Sequence, residues 1–326
     1  MNGWTLGVSC VILCGLAVCL PACSRVNPED AAVSTIARLR GEATRDASSP
    51  TGPVVFVSLR GTEATDADLE CLGSLENLQS LDLSRTPITD EGLKRLSGLK
   101  SLKRLWLRET CVTGAGLEPF ARRASLEELD LSATPIGDSE LEHVGNLASL
   151  RSLGLSDTKI TDRGLVHLAG LKELRELRLD RAAVEGGGLV HLRDLPRLRN
   201  LDLGHTDVND DSLSHVAACA ELEALSLRAT QVGSVGLSHL DALERLASLD
   251  LSYSSVGNED VASLAGLRHL TCLRLCGTRV GDAALSHLKS PPRLRELELQ
   301  GTRVTPEGVD AFHESSPKTV VWTTTQ

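Results

Sequence analysis

The chain has 326 residues, 41% hydrophobic and 24% charged, with 2% aromatic side chains and a formal net charge of −10. That acidic balance argues against nucleic acid or an anionic membrane surface as the main partner, because both are met by clustered Lys and Arg. Scarce aromatics leave leucine to fill the core, and a repeat that occupies nearly the whole chain leaves no room for a second folded domain.

Residues 4–22, WTLGVSCVILCGLAVCLPA, are apolar and uncharged, and Leu20-Pro21-Ala22-Cys23 closes the run. The closing tetrapeptide resembles the lipobox of bacterial lipoproteins. That resemblance implies a signal peptide over 1–22, acylation of Cys23 as the new first residue, and a membrane partner reached through the lipid. Well-studied Gram-negative systems retain lipoproteins at the inner membrane with aspartate at the next position. Ser24 therefore points to the outer membrane or cell envelope, with the folded part in the periplasm or at the surface. An ordinary signal peptide and an uncleaved membrane helix stay open, since 19 apolar residues nearly span a bilayer.

Residues 23–53 form a tether and an N-terminal cap. Asn27-Pro28-Glu29-Asp30 is a helix start, with proline at the first position and acids in the first turn. Val33, Ile36, Leu39 and Ala32 give that helix one apolar face, suited to covering the open end of a stacked core. Thr44 to Pro53 is rich in Ser, Pro and Gly and is expected to be a loop.

From Val54 onward, over 54–326, a 24-residue unit recurs without insertion, most clearly as LQSLDLSRTPITDEGLKRLSGLKS from Leu78 to Ser101. Its first leucine returns at Leu102, Leu126, Leu150 and so on to Leu294, with a weaker copy at Val54 and a half-strand from Lys318. In LQSLDL the leucines alternate with polar residues, the period of a strand with one buried face. In DEGLKRLSGL the leucines at 93, 96 and 99 form one helical stripe. Asp90 occupies the position expected of a helix N-cap, repeated at Asp66, Asp138, Asp162, Asp210 and Asp282. The column after the strand is Thr or Ser from Thr62 to Thr302, broken only by Ala182, and is expected to satisfy backbone groups where the chain leaves the strand.

A fixed period carrying L-x-x-L-x-L resembles the leucine-rich repeat family. The fuller pattern T-x-I/V-T-D-x-G-L-x-x-L is similar to helical repeats of planctomycete-type bacterial proteins and to repeats that accompany F-box domains in ubiquitin-ligase adaptors. The resemblance implies an α/β fold: a right-handed solenoid, with a parallel sheet on the concave face and short helices on the convex face. It also implies a protein partner of unstated identity. Residues 24–53 are too few for the three-helix F-box module, so an intracellular adaptor is the alternative to an exported, monomeric interaction scaffold.

Candidate sites follow from the columns. On the concave face Trp106 is flanked by Arg104 and Arg108, with Asp82 and Asp130 on adjacent strands, and Arg178, His205 and Tyr253 lie further along. Trp and Arg are enriched among residues that dominate binding energies, so this set is the candidate partner-binding surface. The convex column His143, His167, His191, His215, His239 and His287 invites a metal reading. Packed helices stand about 9–10 Å apart, too far for ligands to converge on zinc, so the column is taken as inherited by duplication. Gly186-Gly187-Gly188 is taken as a degraded repeat rather than a phosphate cradle. The cysteines beyond the first segment have no framework spacing, and Cys219 fills a leucine slot. No nucleophile elbow, phosphate loop or zinc motif occurs, so neither catalysis nor a cofactor is expected.

Overall fold

The computed structural model describes residues 27–47, 52–121, 125–288 and 293–323. The segment expected to be a signal peptide and Cys23 lie outside them. Helix α1 (Pro28–Arg38) starts where Asn27 accepts a hydrogen bond from the Glu29 amide at 3.2 Å, and it buries Ala32 and Ile36. Arg40 then turns the chain at φ +63° into strand β1 (Glu42–Arg45).

This first strand corrects the loop expected from Thr44 onward. It pairs antiparallel with β2 (Val54–Ser58), Thr44 opposite Phe56. Its residues show no alternation of apolar and polar types because both its faces are largely exposed. Arg45 supplies what pattern does not: it reaches Asp30 at 2.9 Å and Glu29 at 3.3 Å on α1, and the Gly52 carbonyl at 2.8 Å.

The remaining strands are three-residue pieces. They are β3 (Ser80–Asp82), β4 (Arg104–Trp106), β5 (Glu128–Asp130), β6 (Ser152–Gly154), β7 (Glu176–Arg178) and β8 (Asn200–Asp202). Beyond them come β9 (Ala224–Ser226), β10 (Ser248–Asp250), β11 (Cys272–Arg274), β12 (Glu296–Glu298) and β13 (Val320–Trp322). All thirteen form one sheet in sequence order, and every pairing after the first is parallel with equivalent positions in register. The central leucines Leu153, Leu177 and Leu201 are at most 2% exposed, and leucine stripes from the short α- and 3-10-helical segments meet them in one continuous core. At the far end Val321 stays in register with Leu297 while Trp322 is exposed.

Each strand from β2 to β12 leaves through the same turn. Arg85, Glu109, Ala133, Asp157, Arg181, His205, Ala229 and Tyr253 hold φ between +52° and +60°, and Gly61, Gly277 and Gly301 occupy the same column. A non-glycine residue there costs on the order of 1 kcal/mol. Two bonds hold the turn in place. The left-handed residue donates its amide to the next repeat, as Arg85 does to the Arg108 carbonyl at 2.8 Å. The threonine after it donates its hydroxyl to the carbonyl three residues back, Thr86 to Leu83 at 2.6 Å and Thr158 to Leu155 likewise. This column therefore caps its own repeat and forms no ladder between turns. At Ala182 the hydroxyl bond is lost, while Arg181 still donates its amide to the Gly204 carbonyl and the Ala182 amide bonds to Leu179.

The aspartate column does something other than N-capping. The cap is one residue earlier: Thr89 accepts from the Glu91 amide, Asn209 from Asp211 and Ser212, and Thr305 from Gly308. The aspartate instead reaches into the following repeat. Asp66 takes the Thr89 amide and hydroxyl at 2.9 and 2.6 Å, and Asp138 takes those of Thr161 at 2.7 and 2.6 Å. Asp90 with Thr113 and Asp282 with Thr305 repeat the motif, and Asp162 takes the amides of Gly186 and Gly187. Where the column has Gly114, Gly186 or Ser234, the amide one repeat on is satisfied from within its own repeat. Gly137 uses Glu140, Asn209 uses Ser212, and Gly257 uses Asp260. An exposed or buried amide must find a partner somewhere, and each boundary solves this in one of two ways.

Candidate functional site

Because side chains alternate across a strand, the residues on either side of each central leucine project from the concave face. In-register pairing sets Asp82, Trp106 and Asp130 side by side, as the spacing predicts. Their hydrogen bonds differ from the expected cluster. The half-buried Trp106 indole donates to Glu128 Oε1 at 2.7 Å, a partner that sequence reasoning missed. Arg104 donates to the Ser80 hydroxyl at 2.8 Å. Arg108 pairs with Glu109 at 3.2 Å, and Glu109 also meets Arg85. The Arg85 guanidinium, with Arg108 second, holds the Glu109 carboxyl below the ordinary carboxylate range.

Neither aspartate closes onto these arginines. Asp82 accepts the Ser84 amide at 2.9 Å. Asp130 accepts the Ser132 amide and, through its other oxygen, Arg178 at 3.1 Å from two strands away. That span is possible because Gly154 lies between them. A Cβ there would stand 2.5 Å from Asp130 Oδ1 and 2.8 Å from Arg178 Nη2.

His205 and Tyr253 sit at the left-handed turn position, on the edge of the concave face and not on its strands. Tyr253 is 56% exposed, and the Arg228 guanidinium lies 4.3 Å from its ring centre. Its ring leans over Gly277, where a Cβ would stand 2.7 Å from the ring carbons.

A concavity of the sheet lies elsewhere, centred over β8 to β10 and walled by β7 and β11, with a volume of about 320 Å³. Its floor is made by Ala224, Ser226 and Ser248, and its ends by Arg178 and Arg274. Short side chains between two long ones create the hollow. That run was visible in the sequence, but only once the columns are aligned does it become a depression.

On the convex side no group of His, Cys, Asp and Glu among the described residues is placed to hold a metal ion. Cys71, Cys111, Cys219, Cys272 and Cys276 are free thiols. Burial pushes the Cys219 thiol up to about 11, as suits a small apolar filler.

A model of the family described as Leucine Rich repeat matches residues 74–97, 146–169 and 292–312, the first two at the same phase of the unit. The chain folds as a leucine-rich repeat solenoid and carries that family's repeat. Among solved leucine-rich repeat folds, an internalin (inlF) from Listeria monocytogenes superposes with a TM-score of 0.58 at 19% identity, over 91% of this chain and 95% of its own. Internalin C2 (inlC2) from the same organism is 28% identical over 65% of this chain and 84% of its own, with a TM-score of 0.51. A TDR receptor superposes with a TM-score of 0.57 at 16% identity, over 82% of this chain and 46% of its own. No curated protein matches this leucine-rich repeat chain. The fold supports a scaffold for protein–protein interaction.

Proposed function

We propose that this leucine-rich repeat protein is a non-enzymatic, monomeric scaffold that binds a protein partner on its concave face. The observation that carries this reading is the contrast between an unvarying leucine frame and outward positions that change size and charge from strand to strand, with Trp106 between two arginines at β4. A partner docking there buries the indole and meets Arg104 and Arg108, concentrating the energy in few residues. With a partner captured by affinity purification, Trp106→Ala is expected to weaken binding by about 2 kcal/mol or more, while His191→Ala on the convex side leaves it unchanged. Equal affinities for Trp106→Ala and wild type in a binding titration would remove this patch as the site.

We further propose that the protein is exported and held to the outer membrane or cell envelope by a lipid on Cys23. Support comes from the apolar run ending in Leu20-Pro21-Ala22-Cys23. Cys23→Ala is expected to abolish acylation and leave an uncleaved precursor, read by intact-protein mass spectrometry of the membrane fraction. An identical unlipidated N-terminus in both forms sinks the anchor.

A further inference from the structure

The depression over β8 to β10 has a charge arrangement unlike the rest of the sheet. The arginines at its ends are already engaged: Arg178 with Asp130 at 3.1 Å and Arg274 with Glu298 at 2.9 Å. The two aspartates that face each other across it are not ion-paired among the described residues. Asp202 and Asp250 each use one carboxylate oxygen to accept a backbone amide, from Gly204 at 3.0 Å and Ser252 at 2.8 Å. Among the described residues, nothing donates a hydrogen bond to their second oxygens. The strand between them carries Ser226 and Ala224, too short to fill the hollow of about 320 Å³.

The same sheet shows what fits such a gap. Two strands earlier, Arg178 extends across Gly154, a small residue on the intervening strand, to reach Asp130. Over Ser226 a small residue again lies between, now with a carboxylate on either side, and the guanidiniums of the flanking strands, Arg178 beside Asp202 and Arg274 beside Asp250, are bonded outward to Asp130 and Glu298. Asp202 and Asp250 stand two strand spacings apart, about 9.6 Å between backbones. A planar guanidinium, making a charge-assisted hydrogen bond of about 2.9 Å on either side, closes that distance in a way a point-like ammonium does not.

We propose that this depression is a subsite for an arginine side chain of a protein partner, held between Asp202 and Asp250 above Ser226. The proposal rests on the concave-face reading and adds the chemistry of one partner residue.

The test uses the full chain and the peptide acetyl-Ser-Ala-Arg-Ala-Ser-amide, followed by amide chemical shifts. Saturable shifts are expected at Ala224, Ser226 and their neighbours. Replacing arginine by its neutral isostere citrulline is expected to weaken binding at least ten-fold, and replacing it by lysine to weaken it less. In the Asp202→Asn/Asp250→Asn variant the arginine response should vanish, since the asparagine oxygen still accepts the amide bonds and only the charge is lost. If that variant fails to fold, the single Asp250→Asn variant is expected to reduce affinity several-fold. Equal binding of citrulline and arginine peptides, an unchanged aspartate variant, or shifts confined to other strands overturns the subsite. The Trp106→Ala titration is independent of it. An intact Trp106 effect with no peptide response leaves the scaffold standing and removes the subsite.

Discussion

Leu177→Ala is expected to cost about 2–5 kcal/mol. Leu177 is the central residue of β7, fully buried and paired on both sides, with Leu153 and Leu201 at the equivalent positions. Truncation leaves a hole that neighbouring repeats cannot close without shifting their own leucines, so transfer and cavity terms add. Arg178→Ala, one residue along, removes a half-exposed side chain and its ion pair with Asp130. Pairs with that exposure contribute about 0–1 kcal/mol. Denaturant titration of both variants gives the comparison, and equal losses would mean that the strand faces the other way.

Asp138→Ala is expected to cost about 2–3 kcal/mol although it lies outside the leucine core. The carboxylate takes both the amide and the hydroxyl of Thr161, at 2.7 and 2.6 Å, and hydrogen bonds to a charged group are each worth about 1.5–3 kcal/mol. Alanine leaves the Thr161 amide without its acceptor. Asp138→Asn is expected to lose less than half as much, because one oxygen remains for that amide. The protein already contains this arrangement at Asn258, which accepts the Gly281 amide at 2.7 Å. A shift in denaturation midpoint for Asp138→Ala no larger than for an exposed-site control would show that Thr161 finds a substitute.

The repeat register was fully legible, because leucine spacing fixes which strand residues face inward and a one-residue slip would expose the whole column. The α1 start at Asn27 was legible for a similar local reason, its cap and proline being adjacent in sequence. Strand β1 was not, since its placement depends on Arg45 folding back to Asp30 and Glu29 in the first turn of the preceding helix. The aspartate column showed its regularity but hid its partner. The same residue type serves as an N-cap or as a bridge, and only the turn geometry decides between them. On the concave face the columns were legible and the pairings were not. Trp106 with Glu128 and Arg178 with Asp130 depend on side-chain length and on the missing Cβ of Gly154.

The two ways of satisfying the amide at each repeat boundary have a mechanical consequence. A bond that crosses a boundary couples neighbouring repeats, whereas one made within a repeat does not, and the cooperativity of a linear array is set by the crossing terms. Coupling along this solenoid is therefore graded. It is strong where Asp66, Asp90, Asp138 and Asp282 hand two acceptor bonds forward, and weaker at the β4/β5, β7/β8 and β9/β10 boundaries, where Gly137, Asn209 and Gly257 rely on their own repeats and, at the latter two, the hydroxyls of Ser212 and Ser255 cross to the Glu185 and Val232 carbonyls. On the opposite side of the molecule the Trp106–Glu128 bond spans the first of these softer joints. An arginine seated between Asp202 and Asp250 spans the last, so occupancy of the concave face and stiffness of the array are thermodynamically linked quantities.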